Sequence, residues 1–186
     1  MSDTALLVID AQESFRQRQN WFETDYTTYL RNQQALIDGA RAKGHAVIRV
    51  LHVEPEGIFS LASGFVRPLA ELQLAPDAEF FKTRHSALVG SGLDVWLTEH
   101  GIRRLIVSGI RTEQCCETTT RHSSDLGWQV DYVTEATHTM LLTDKTGRTW
   151  SVEELKARTA AVLDGRFARV CTIAEALADA PKAVAA

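Results

Sequence analysis

Leu105-Ile106-Val107-Ser108-Gly109-Ile110-Arg111-Thr112-Glu113-Gln114-Cys115-Cys116-Glu117-Thr118-Thr119-Thr120-Arg121 is the stretch on which the reading of the chain turns. It begins as a short, β-branched apolar run, which predicts a buried strand. The strand turns at Gly109, and a helix follows with Thr112 placed to cap it. Cys115 then falls in the first helical turn, just past a strand end. In an open α/β sheet, ligands collect outside the carboxyl ends of the strands. A helix N-terminus also favours a thiolate over a thiol. The competing reading is that Cys115 is one more small buried side chain.

Outward from this stretch, the chain alternates strands and helices. Thr4-Ala5-Leu6-Leu7-Val8-Ile9 is nearly all apolar, as in a parallel strand covered on both faces, and it ends on Asp10. Gln12, Phe15, Trp21 and Phe22 follow in a loop placed to wall a pocket. Tyr26, Tyr29, Leu30, Gln33, Leu36, Ile37 and Ala40 recur at helical spacing with one polar interruption, and that helix stops near Gly44. Ala46 to Leu51 makes the second strand, and a Gly- and Pro-punctuated excursion, expected to hold one short helix, runs from Glu54 to Pro76. Glu79-Phe80-Phe81-Lys82 is a short third strand ending in a lysine. Ser91 opens a helix that Gly101 ends. The helix after Cys115 runs to about Asp125. Gln129 to Thr134 is the fifth strand and Phe167 to Val170 the sixth. Ser151 with Glu154, and Thr172 with Glu175, form capping boxes for the last two helices. The tail from Ala178 to Ala186 is expected to fray.

This alternation implies right-handed crossovers and a doubly wound α/β fold. The expected sheet has six parallel strands in the order 3-2-1-4-5-6, with helices on both faces. Strands 1 and 4 then sit side by side at the switch point, with Asp10 and Cys115 at its crevice. Lys82, on strand 3, must reach in on its long side chain.

The whole-chain properties set bounds. The 186 residues, 45% hydrophobic and 24% charged, suit one domain spanning 1–186 with a full core. A net charge of −4 without a basic cluster gives no sign of nucleic acid, and no apolar run is long enough to span a bilayer. The first residues lack a basic segment, so no signal peptide is expected. Three cysteines, two of them adjacent, give no disulfide framework, and a cytoplasmic, reduced protein is expected.

Three segments together resemble one family. Leu7-Val8-Ile9-Asp10-Ala11-Gln12 with Phe15, Lys82 followed by Ser86-Ala87, and Gly109-Ile110-Arg111-Thr112-Glu113-Gln114-Cys115 are similar to the motifs of the isochorismatase-like cysteine hydrolases. The resemblance implies a catalytic triad of Asp10, Lys82 and Cys115. It also implies a cis peptide between Ile110 and Arg111, an oxyanion hole from the backbone N–H groups of Arg111 and Cys115, and a pocket that includes Gln12, Phe15, Trp21 and Ile110. The implied reaction is hydrolysis of a small amide or ureide C–N bond through a thioester, releasing ammonia or an amine. Lys82 would hold the charged pair and depress the thiol pKa. An isochorismatase-type vinyl ether hydrolase using Asp10 as acid is the alternative within the family. A thiol redox or sensor protein using Cys115 and Cys116 is the alternative outside it, and a binding module on an inactive scaffold is a third.

The nicotinamidase branch of the family carries an Asp-x-His pair after strand 2 and a further His, which bind a metal. Here the stretch is Leu51-His52-Val53-Glu54, with no further His until His85, so no metal and no cofactor are expected. Arg111 is bulky for its place. It either meets an anionic substrate group or lies at the surface, and the surface is the simpler expectation. His122 stands two turns from Cys115, too far for a dyad, whereas His85 and His138 stay open. The expected partners are a small-molecule substrate and further copies of the chain, as a dimer or tetramer.

Overall fold

The computed structural model describes residues 2–21 and 25–178. The pocket candidate Phe22 and the tail beyond 178 lie outside them. In chain order the elements are β1 (Thr4–Ile9), α1 (Tyr26–Ala42), β2 (Ala46–His52), β3 (Ala78–Lys82), α2 (Leu93–Glu99), β4 (Arg104–Ile110), α3 (Glu117–Asp125), β5 (Gln129–His138), β6 (Leu142–Thr143), β7 (Thr149–Trp150), α4 (Val152–Leu163), β8 (Arg169–Val170) and α5 (Ile173–Leu177).

Six strands form one parallel sheet in the order β3-β2-β1-β4-β5-β8, which is the expected order with β8 as the sixth strand. Alternate residues of β1 enter opposite cores. Leu6 and Val8 join α1 and α5 on one face, with Tyr29, Leu36, Ile37 and Ala176. Ala5, Leu7 and Ile9 join Leu93 and Leu97 of α2 and Leu163 of α4 on the other. A strand buried on both faces has no reason to alternate polar with apolar, hence its continuous apolar run.

The order in which strands are added reverses between β1 and β4, and both parallel strands end at this switch point. Gly109 makes the junction close. Its φ is +123°, and a Cβ there would stand 1.9 Å from the carbonyl oxygen of Ile9. Only glycine fits so near a neighbouring backbone. Opposite it, the pairing of β4 with β5 slips: Val107 faces Tyr132, but Gly109 faces Thr137. That bulge carries β5 on to His138, past the end expected at Thr134.

Three local expectations are corrected. Thr112 does not cap the helix; its hydroxyl donates to Thr137 Oγ1 at 2.8 Å because the bulge brings Thr137 beside it. The excursion after β2 holds two short 3₁₀ turns, Gly57–Phe59 and Leu61–Ser63, in place of one helix. A small hairpin, β6 with β7, was not foreseen, since strands of two residues carry no periodicity. Both capping boxes form as read from the sequence.

Candidate active site

Between β4 and α3 the chain makes one wide turn, Thr112–Cys116, in which the Cys116 N–H reaches back five residues to the Arg111 carbonyl at 3.2 Å. Such π-type turns are rare and frequently sit at functional sites. This one separates the adjacent cysteines. Cys116 is fully buried against the sheet, while Cys115, 5% exposed, joins the charged cluster at the switch point. The peptide between Ile110 and Arg111 is cis, as the resemblance implied.

Asp10 closes β1 with φ +52°, a conformation in which aspartate is one of the few tolerated side chains. Its carboxylate is fully buried. Lys82 ends β3, two strands away, and its register partner on β2 is His52. From there its side chain crosses beneath the end of β2, as the strand order requires. Its Nζ lies 2.8 Å from Asp10 Oδ2, 3.2 Å from His52 Nδ1, 3.1 Å from the Arg84 carbonyl and 3.4 Å from Cys115 Sγ. An ammonium has three protons. Four acceptors surround it, and sulfur is the most distant.

The electrostatics follow from burial. Desolvation pushes the Lys82 pKa down, but Asp10 and then Cys115 more than offset it, and the net shift is upward. Lys82 is therefore a fixed cation. Burial also pushes the Cys115 thiol up; Asp10 adds to this, and Lys82 opposes both without cancelling them. That corrects the expected depressed thiol pKa, because desolvation and a buried carboxylate outweigh one shared ammonium. At rest the sulfur holds its proton.

His52 belongs to this cluster, which its place in the sequence does not announce. Burial and then the Lys82 charge lower its pKa, so the ring is neutral at neutral pH. A neutral ring accepts from Lys82 at Nδ1 and donates to Glu54 Oε1 from Nε2 at 3.3 Å. Both nitrogens are thus engaged, and His52 with Glu54 does not fit a metal centre. No group of three or more His, Cys, Asp or Glu side chains among the described residues is placed to hold a metal ion.

The remaining candidates divide. Gln12 is fully buried and clamps the end of β2: its Oε1 accepts from the His52 N–H at 2.7 Å, and its Nε2 donates to the His52 carbonyl and Ser14 Oγ, both at 3.0 Å. Ile110 is sealed in the core. Both side chains are fully buried. Phe15 stands edge-on to Phe59 with ring centres 5.0 Å apart, under the Arg18 guanidinium. Trp21 packs on Tyr26 and His138. His138 is stacked on Tyr29, and His85 Nδ1 is 3.9 Å from Cys115 Sγ. His122 receives Ser86: Ser86 Oγ lies 2.8 Å from His122 Nδ1, and the Ala87 N–H donates to Thr119 Oγ1 at 2.9 Å. The Ser86-Ala87 pair of the second motif therefore fastens the loop after Lys82 to α3. Arg111 is not at the surface. It is 4% exposed and pairs with Glu113 at 3.0 Å.

Cavity size alone does not locate this site. A concavity of about 690 Å³ lies at the opposite, amino-terminal end of the strands, around Gly101, Arg103 and Trp128. A cavity of about 540 Å³ opens beside Arg18, Glu54 and Phe59, on the side of the charged cluster.

Comparison with known proteins agrees with this geometry. Residues 4–167 match the Isochorismatase domain. The isochorismatase family protein YrdC of Bacillus subtilis is 26% identical over 180 residues, covering 94% of this chain and 95% of that protein. Ureidoacrylate amidohydrolase RutB of Variovorax paradoxus is 35% identical over 95 residues, 49% of this chain and 38% of that protein. A crystal structure of an isochorismatase-family protein from Chromobacterium violaceum superposes with a TM-score of 0.84 at 29% identity, covering 95% of this chain and 93% of that one. With the domain matched across most of the chain and its motifs gathered at one strand-end crevice, the protein belongs to the isochorismatase family of hydrolases.

Proposed function

We propose that the protein cleaves the C–N bond of a small amide or ureide through a thioester on Cys115, with Asp10, Lys82 and Cys115 as its catalytic residues. The observation that carries this reading is the single Lys82 ammonium, 2.8 Å from Asp10 and 3.4 Å from Cys115. A thiol that is protonated at rest needs a base at the moment of attack. Asp10 takes the proton as sulfur bonds to the carbonyl carbon, and the oxyanion forms beside the Arg111 and Cys115 N–H groups. Lys82 keeps the negative charges of carboxylate and sulfur from repelling one another during that transfer. Collapse breaks the C–N bond, and Asp10 returns the proton to the leaving nitrogen. Water, losing its proton to the same carboxylate, then attacks the thioester. Acid leaves, and the thiol recovers its proton.

The amide class is also supported by RutB, whose name gives it an amidohydrolase activity on a ureide. A vinyl ether hydrolase would need Asp10 as acid and no nucleophile, so a thiol on the shared lysine favours the amide. A panel of small amides, ureides and isochorismate, read by ammonia release and by loss of substrate, tests the reading. Cys115→Ala should lower amide turnover by roughly 10⁴-fold or more, while Cys116→Ala keeps most of it. Turnover surviving in Cys115→Ala and lost in Cys116→Ala would move the nucleophile and end this mechanism.

A further inference from the structure

His85 stands beside the nucleophile and has no part in the steps above. Its Nδ1 lies 3.9 Å from Cys115 Sγ, farther out than Lys82 Nζ at 3.4 Å. Asp10 and Lys82 are fully buried and Cys115 nearly so, whereas His85 is exposed. The charged pair therefore backs the sulfur from the interior, and the imidazole meets it from the solvent side, by which a substrate arrives.

The backbone that carries this histidine is tied down on both sides. One residue before it, the Arg84 carbonyl accepts from Lys82 Nζ at 3.1 Å. One residue after it, Ser86 Oγ lies 2.8 Å from His122 Nδ1 and accepts from the Leu88 N–H at 3.2 Å. The Ala87 N–H donates to Thr119 Oγ1 at 2.9 Å. The segment is thus fixed to the ammonium at one end and to α3, which follows Cys115, at the other. A side chain that acts on reacting atoms needs such support. The ring is not spent on another partner: apart from the contact with sulfur, it has no hydrogen bond or ion pair among the described residues.

A nitrogen 3.9 Å from the sulfur is a distant partner for the resting thiol. An atom bound to the carbon that the sulfur attacks fits between the two, within the hydrogen-bond reach of about 2.7–3.2 Å. We infer that His85 Nδ1 receives an N–H of the departing nitrogen and then, in the same place, an O–H of the hydrolytic water. This rests on the thioester reading above, since both contacts arise only along that path. With its proton on Nε2, a neutral imidazole offers Nδ1 as an acceptor. Holding one N–H turns the nitrogen lone pair toward Asp10, whose proton it takes as the C–N bond breaks. Water enters where the nitrogen left. One of its protons goes to Asp10 and on to sulfur as the C–S bond breaks; the other, held by His85, stays with the product acid. His85 gains and loses no proton, and what it contributes is orientation of the reacting atom.

The reagent p-nitrophenyl acetate separates the two steps, because p-nitrophenolate leaves without a proton while acetyl-Cys115 must still be hydrolysed. With enzyme in excess, phenolate release reports acylation, and intact mass reports the lifetime of acetyl-Cys115. His85→Leu should barely change acylation and should lengthen that lifetime roughly 10-fold, the loss expected for one hydrogen bond. His85→Asn, which sets an amide oxygen near the place of Nδ1, should restore most of the rate. His85→Ala carries the same test where the leucine disturbs native ellipticity. A lifetime unchanged without the imidazole overturns the inference, as does one lengthened equally in His85→Asn, or acylation slowed as much as deacylation. Wild-type protein left unacetylated at Cys115 tells against the thioester reading itself, and the inference falls with it. Acetylation with a lifetime indifferent to His85 removes the histidine alone.

Discussion

Two buried charge clusters sit on this sheet, one at each end, and they are built differently. At the amino-terminal end Asp131 of β5 meets Arg104 of β4 and Arg169 of β8. Arg104 Nε and Arg169 Nε each donate to it at 2.8 Å, Arg169 Nη2 adds a contact at 2.9 Å, and Arg104 Nη2 also pairs with it and caps the Ala176 carbonyl. That carboxylate is saturated. At the carboxyl end Asp10, just as buried, has one cation, and that cation is shared with a histidine, a carbonyl and a thiol. Burying a carboxylate with a cation does not by itself make a reactive site. In the proposed mechanism, reactivity comes from leaving the carboxylate with capacity to spare beside a group that can give it a proton.

The contrast can be broken experimentally, and the largest effect should come from Lys82→Met. Asp10 then loses its cation, and removing one partner of a buried pair typically costs about 3–5 kcal/mol. Turnover should fall by roughly 10²-fold or more, as when a positioned electrostatic group is lost. The Cys115 thiol should become still less acidic, whereas Asp10→Asn should make it more acidic, since Asp10 raises its pKa and Lys82 lowers it. Alkylation rate against pH measures both shifts. Asp10→Asn/Lys82→Met should regain stability without regaining activity. An unchanged profile in Lys82→Met would detach the lysine from the chemistry.

At the other end, Asp131→Asn should cost a similar 3 kcal/mol or so, because Arg104 is left charged inside the sheet. Its kcat per folded molecule should stay within about twofold, with denaturant midpoint and active-site titration as the paired measurements. A large loss of kcat would mean that the two ends are coupled and the contrast is false.

His52→Gln should have the smallest effect and sharpens the carboxyl end alone. Because the folded pKa of His52 is depressed, its neutral form contributes stability that is present above about pH 6.5 and lost as pH falls through the folded value. Glutamine keeps an acceptor for Lys82 but cannot take up that proton. The variant should show a shallower loss of stability between pH 7 and pH 5, measured by urea midpoints. An identical slope in the two proteins would place the acid sensitivity elsewhere.

Much of this arrangement was legible in the sequence, and the remainder had a physical reason to be hidden. Apolar runs and glycine stops gave the strand order, and that order alone required Lys82 to reach across β2. The capping boxes were local patterns and formed. His52 was hidden because its role depends on the register that sets it opposite Lys82. Arg111 read as a surface arginine because its counter-charge, Glu113, is supplied by a turn whose five-residue loop-back no residue pattern signals. The thiol pKa was misjudged because helix-terminus and lysine effects can be read from spacing, whereas desolvation needs the packed structure.

β3 is the outermost strand on its side, with β2 its only strand neighbour among the described residues. Outer strands open locally at lower free energy than central ones. The cation that joins Asp10 to Cys115 is therefore carried by a strand among the first to come loose. Inactivation on warming or in mild denaturant should precede the loss of ellipticity, giving a window in which the sheet persists and the enzyme is silent. A molecule filling the crevice would close that window by tethering β3, so its protection should appear first in the amide hydrogen exchange of Ala78 to Lys82. Operational lifetime in this protein is then a property of one edge strand, separable from the stability of the fold that carries it.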